Sequence, residues 1–338
     1  MDSFKQSLDN LTLSNMTTAM SPPEEELRLI YIMYCIRCTF LPIIAIGTIF
    51  NIFNFIVLTR KDMLERSITV YLLGLTVGDL ALLYLELFRI WYESYGTTYD
   101  WTFMTDTYCK VNNYFTSIVR DFSNWLIAGL TIERLIAIAF LKRAKTYCTV
   151  RTAAKFTCSL LLVLFVVHSH HLAFAKVQNY IGWVCWEDPN SHIASVFWVL
   201  SIICLGYSVI IVVFSINVAL ILVLRKYKIA KPRHWEKYRR VTHMLVLISA
   251  MFLICETPKV VAETYYRFHG EAAKRKTTGR VVLNLSFALS GVNHACNFLI
   301  YILSSQRFRG VFVKTFRGWK QRISGSSGSV TKSTSDEL

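Results

Sequence analysis

Seven stretches of this chain are too long and too apolar to be content in water. They run over roughly 31–59, 70–92, 109–140, 153–176, 192–224, 240–265 and 281–303. A helix needs about 20 apolar residues to cross the hydrocarbon core of a bilayer, and each stretch reaches that length. Soluble helices this long keep a polar face. In lipid, only helices and closed barrels satisfy their own backbone groups, and the two-residue alternation of barrel strands is missing. The expected fold class is therefore an all-α membrane protein, a seven-transmembrane helix bundle. No cleavable signal peptide precedes it, so the first apolar span has to serve as its own signal.

Composition agrees. Of 338 residues, 54% are hydrophobic and 17% charged, where a soluble protein carries about 25% charged residues. The net charge of +15 could serve nucleic acid, anionic lipid or an acidic face of a cytosolic protein. The positions of the basic residues choose among these. Arg60, Lys61, Arg66, Lys142, Arg143, Lys145, Arg151 and the stretch 225–240 lie in loops after spans one, three and five. Arg307, Arg309, Lys314, Arg317, Lys320 and Arg322 follow span seven. Acidic residues gather on the other side, at Glu24, Glu25, Glu26, Glu93, Asp100, Asp106, Glu187 and Asp188. Positive loops stay in the cytosol, so the N-terminus is expected outside and the C-terminus inside. The partners are then the lipid bilayer and a cytosolic protein, with no nucleic acid. One outer loop breaks the pattern with Lys274, Arg275 and Lys276; it either attracts an acidic ligand or is simply solvated.

Four regions follow: an extracellular tail (1–30), the seven-helix domain (31–304), an amphipathic cytoplasmic helix (305–320) and a disordered tail (321–338). Asn10-Leu-Thr12 and Asn15-Met-Thr17 fit glycan acceptors on the outer tail. Phe308, Phe312 and Phe316 recur every four residues with basic residues between them, the pattern of an eighth helix lying on the inner leaflet. The Ser/Thr-rich end offers phosphorylation sites. The terminal Asp-Glu-Leu resembles a luminal retention signal, but it falls on the cytosolic side. Most of the nine cysteines sit inside apolar stretches, where a thiol is a small hydrophobe.

Polar residues inside the spans decide what the bundle does, because each is expensive in lipid. Span one has Gly47-x-x-x-Asn51, span two Leu75-x-x-x-Asp79, and span three starts near Cys109 and ends in Glu133-Arg134-Leu135. Trp101-x-Phe103 and Cys185 stand in outer loops. Span six carries Phe252-x-x-Cys255-x-x-Pro258, and span seven Asn297-x-x-x-Tyr301. Taken together and in order, these motifs resemble the rhodopsin-like (class A) family of G-protein-coupled receptors across residues 31–320. The endings of spans six and seven look most like invertebrate neuropeptide receptors of the FMRFamide-receptor-like branch.

That resemblance implies a plasma-membrane receptor for an extracellular ligand, acting on a heterotrimeric G protein and not catalysing a reaction. It implies a Cys109–Cys185 disulfide on the oxidising outer side. It assigns Glu133 and Arg134 to a resting pair released on activation, with Glu256, Pro258, Asn297 and Tyr301 in the switch. It gathers Asp79, Ser123, Asn293 and Asn297 into a pocket for an allosteric sodium ion, since oxygen-rich ligation suits a hard cation; beyond that ion no cofactor or metal is expected. Bland readings stand beside these: a snorkelling Arg134 and a protonated, hydrogen-bonded Asp79.

Departures matter as well. Glu256 stands where the family has Trp, and is expected to be protonated or paired with Lys259 or Arg120. Phe298 replaces the usual Pro, which puts the kink of span seven in doubt. Gly291 cannot form a retinal Schiff base, and Thr116 removes the aspartate that biogenic amines need. Glu86, Arg89, Thr116, Arg120, Asp121, Lys259 and Glu263 mark the ligand pocket, where mixed charges either suit a peptide or pair with one another in an internal salt-bridge network. Arg120 and Asp121 adjoin, so they point apart and each needs its own partner. Within His168, His170 and His171, two imidazoles share a face, but no acidic third ligand is evident and metal is not expected. The alternatives are a family member for a lipid or other small molecule, and a transporter. The halves show no internal repeat of the transporter kind.

Overall fold

The computed structural model describes residues 24–93, 105–179, 183–187, 191–230, 232–269 and 277–329. Asn10, Asn15, Trp101, Phe103, the Lys274–Lys276 cluster and the last nine residues lie outside these. Seven helices are long and apolar enough to cross a membrane: Glu24–Leu58, Ser67–Tyr92, Asp106–Ala139, Val150–Phe174, His192–Lys226, Thr242–Phe268 and Thr277–Ser304. They are spans one to seven.

Several ends differ from expectation. Span one begins at Glu24, inside the expected tail. Glu24, Glu25 and Glu26 fill its first turn, where carboxylates favour the helix dipole, and Arg28 reaches back to Glu24 at 2.6 Å. The eighth helix, expected on the cytoplasmic side, runs over Gln306–Ser329, so 321–329 is helical where a disordered tail is expected. Propagation adds one hydrogen bond per residue fixed, which carries a nucleated helix into a weak Ser/Gly stretch.

Breaks inside spans have local causes. Span one is split at Thr39, between Glu24–Cys38 and Phe40–Leu58. Pro42 lacks an N–H and its ring crowds the carbonyl four residues back, at Cys38. Span two turns π-helical over Leu83–Phe88, and span five over Ile202–Tyr207. Such turns take an extra residue and often mark functional sites; here one holds Glu86. Span seven is a single helix over Thr277–Ser304. With Phe298 in the proline position, its ring packs on Phe50, Phe308 and Phe312 at centroid distances of 5.1, 6.0 and 5.6 Å. The aromatic cluster joins span one, span seven and the cytoplasmic helix.

Span seven lies between spans one and six, and span three packs on two, four, five and six. The larger core surrounds Leu75, Leu126, Leu130, Phe252 and Tyr301; a smaller one holds Phe40, Ile44, Leu83 and Leu87. Spans four and five are peripheral, with Leu162, Val166, Ile211 and Phe214 exposed, as lipid-facing side chains are. Two antiparallel strands, β1 (Ala175–Asn179) and β2 (Trp183–Glu187), set Val177 opposite Cys185. The backbone N–H of Val177 donates to Asp106 at 2.9 Å, fixing the hairpin over the start of span three. The hairpin end and the Arg134 end are the two ends of the bundle.

Gly47 lets spans one and seven approach. A Cβ there would stand 3.0 Å from Cβ and 3.2 Å from Cα of Ala295, and the backbone atom cannot swing away. Gly47→Val should therefore lower the unfolding temperature of the purified protein, reflecting about 1–3 kcal/mol of overpacking. An unchanged melting curve would contradict this packing.

Candidate functional site: buried charges through the bundle

Near the hairpin end, Glu86 is buried in the π-helical turn of span two. Its carboxylate accepts from two cations. Lys259 Nζ of span six donates to Oε2 at 2.5 Å, and an Arg120 guanidinium nitrogen of span three donates to Oε1. Arg120 also faces Glu263 of span six at 3.7 Å. Lys259 donates to Ser290 at 3.2 Å and lies 5.4 Å from the centre of the Phe287 ring. Glu86 and Glu263 thus face two cations, which is how charge is tolerated away from water.

The neighbours fall as follows. Asp121, adjoining Arg120, turns to span four and meets His168 Nε2 at 2.8 Å. Arg120 and Asp121 therefore do take separate partners. Thr116 is buried with no hydrogen bond from its hydroxyl among the described residues, and Arg89 is half-buried.

The polar chain continues inward. Glu256 Oε1 accepts from Ser290 at 2.7 Å and from Asn293 at 3.4 Å, and its other oxygen is 3.9 Å from Lys259. It is Lys259, and not Arg120, that stands beside Glu256. His294 bridges two acids, with Nδ1 2.8 Å from Asp79 and Nε2 3.5 Å from Glu256. Asn297 donates to the second Asp79 oxygen at 2.6 Å. Asn51 donates to the carbonyls of Gly47 and His294 at 2.9 and 3.0 Å, locking spans one and seven. Pro258 lies inside the span-six helix two residues beyond Glu256.

The expected sodium set does not assemble. Of its members, Asn297 reaches Asp79, Asn293 goes to Glu256, and the Ser123 hydroxyl makes no hydrogen bond among the described residues. An imidazole nitrogen and an amide NH2 face the Asp79 oxygens, where a hard cation needs oxygen donors. The residues do not fit the ion. Sequence reasoning missed His294; the available signal was an ionisable residue in the middle of span seven.

At the Arg134 end, Arg134 donates to Glu133 at 2.7 Å, and Ser67 donates to the same oxygen at 2.6 Å. Both span-three residues are held against span two. The Cys148 thiol, between spans three and four, contacts the Glu133 carbonyl at 3.6 Å; burial raises its pKa, so it stays a packed thiol. Tyr301 is fully buried against Phe308 at 5.6 Å. Cys35 and Cys38 form a C-x-x-C pair in span one, against the expectation that the sequence holds none; both are exposed and not disulfide-bonded. His168, His170 and His171 also differ from expectation. All three are buried and converge, and His168 also meets Asp121.

Removing His294 strips one of the two partners from a fully buried Asp79. His294→Leu should cost about 1–3 kcal/mol, the price of an unsatisfied buried polar group, read as a lower unfolding temperature, while His294→Asn restores part of it. Equal stability of the Leu variant and the native protein would refute this pairing.

Residues 50–301 match the family described as 7 transmembrane receptor (rhodopsin family). The chain is 26% identical to neuromedin-U receptor 2 of Mus musculus over 305 residues, covering 80% of this chain and 72% of that receptor. It is 23% identical to the neuromedin U receptor homolog nmur-2 of Caenorhabditis elegans over 320 residues, covering 82% and 79%. It is 24% identical to the tachykinin-like peptides receptor 86C of Drosophila melanogaster over 271 residues, covering 73% and 52%. With these relatives and seven membrane-length helices, it is a multi-pass membrane receptor and not an enzyme: the chain belongs to the rhodopsin family of seven-transmembrane receptors.

Proposed function

We propose that the chain is a plasma-membrane receptor, N-terminus outside, that an extracellular neuropeptide activates and that acts on a heterotrimeric G protein. The carrying observation is the Glu86–Lys259–Arg120–Glu263 group beneath the hairpin. A peptide brings amide, amine and carboxylate groups that can compete for these partners, whereas a lipid tail cannot. The names of the relatives, neuromedin U and tachykinin-like peptides among them, support the same class. A Cys109–Cys185 disulfide would pin the hairpin over the crevice; the bonded state of Cys109 and the Val177–Cys185 register support it. Glycans at Asn10 and Asn15 and a phosphorylated tail that engages receptor kinase and arrestin complete the reading.

In this reading the ligand favours one of two pre-existing states by exchanging its own charges for the internal pairs. Arg134 then leaves Glu133 and contacts the G protein. The test is a peptide library applied to cells expressing the receptor, with calcium and cAMP as readouts. A saturable peptide response is expected. Response to lipids and to no peptide would overturn the ligand class. With an active peptide in hand, Arg134→Ala should abolish the G-protein signal while leaving peptide affinity within a few-fold; full signalling by that variant would refute the role of Arg134.

A further inference from the structure

At the hairpin end of span four the helix breaks. Val150–Val167 ends with His168 as its C-cap, Ser169 turns, and a short helix restarts at His170–Phe174. On one continuous helix, successive side chains diverge by about 100°. The break instead folds three imidazoles onto one another. Ring centroids of His170 and His171 are 4.1 Å apart, and those of His168 and His171 are 5.6 Å apart with planes within 16°. One nitrogen from each ring can be chosen so that all three lie within 4.8 Å of one another, and all three residues are buried.

The surroundings set which nitrogen carries the lone pair in two of the rings. Asp121 takes the His168 Nε2 proton at 2.8 Å, so the lone pair lies on Nδ1, which is buried and makes no hydrogen bond among the described residues. The carbonyl of Val167 takes the His170 Nδ1 proton at 2.9 Å, which puts that ring's lone pair on Nε2. A carboxylate or carbonyl on the far nitrogen is how proteins orient imidazoles that bind metal. Phe197 of span five stacks on His170 at 5.4 Å, 11° from parallel, and holds the ring from behind.

We propose that His168, His170 and His171 form a site for a divalent transition metal ion of the zinc class, with Asp121 as its positioning carboxylate. Zinc takes imidazole nitrogen at about 2.0–2.1 Å in a tetrahedron, which sets neighbouring nitrogens about 3.3 Å apart; modest side-chain rotations from the present spacing reach that. Three imidazoles leave a fourth position for water or a donor from a ligand. The ion would fix the break in span four, which Asp121 ties to span three through His168.

The experiment uses the full-length receptor in lipid nanodiscs and Co2+ as the probe. One equivalent of Co2+ should give the intense visible bands of tetrahedral nitrogen coordination, and Zn2+ should displace it. His168→Gln/His171→Gln should lose the bands, and Asp121→Asn should weaken Zn2+ binding about 10–100-fold. Because the double variant can fail to fold, X-ray absorption at the zinc edge of the unmutated receptor supplies a second measurement, expected to count three imidazoles. Absence of tetrahedral bands, bands unchanged in a folded double variant, or a zinc shell of oxygens alone would overturn the site.

Discussion

Everything in the outer half of the bundle turns on the carboxylate of Glu86. It lies where water does not reach and is shared by Lys259 and Arg120 from two other spans. A cation left alone in such a place is strongly destabilising, whereas the closed group is tolerable. The π-helical turn of span two lies where this matters, because the carboxylate sits within the altered turn. The same carboxylate therefore fixes the relative rotation of spans two, three and six.

From that group a polar chain runs through Ser290, Glu256 and His294 to Asp79 and Asn297. His294 between two acids ties them together at 2.8 and 3.5 Å. In a rhodopsin-family receptor that carries Glu256 where Trp is usual, this chain joins the Glu86 group to the middle of the bundle. The Phe298 cluster then replaces a proline kink with packing against the cytoplasmic helix.

The seven spans were legible in the sequence because lipid admits so few backbone solutions. The separate partners of Arg120 and Asp121 were legible because neighbours on a helix cannot face the same way. The Glu133–Arg134 pair was legible from adjacency at a helix end. What failed depended on rotation between helices. Asn293 went to Glu256, and His294, one residue on, took the place expected for oxygen ligands. The histidine cluster was hidden because its convergence needs the break at Ser169, which no proline or glycine announces. Helix ends at Glu24 and Ser329 escaped notice because dipole and propagation effects are weak and local.

Glu86 and Lys259 hold the bundle as one interacting pair. A double-mutant cycle with Glu86→Gln and Lys259→Met, read by thermal unfolding of the purified receptor, tests it most directly. Each single change should destabilise by leaving a buried charge or polar group unmatched. The double variant should be more stable than the sum of the two losses predicts, by about 1–3 kcal/mol. Simple additivity of the two effects would contradict the account.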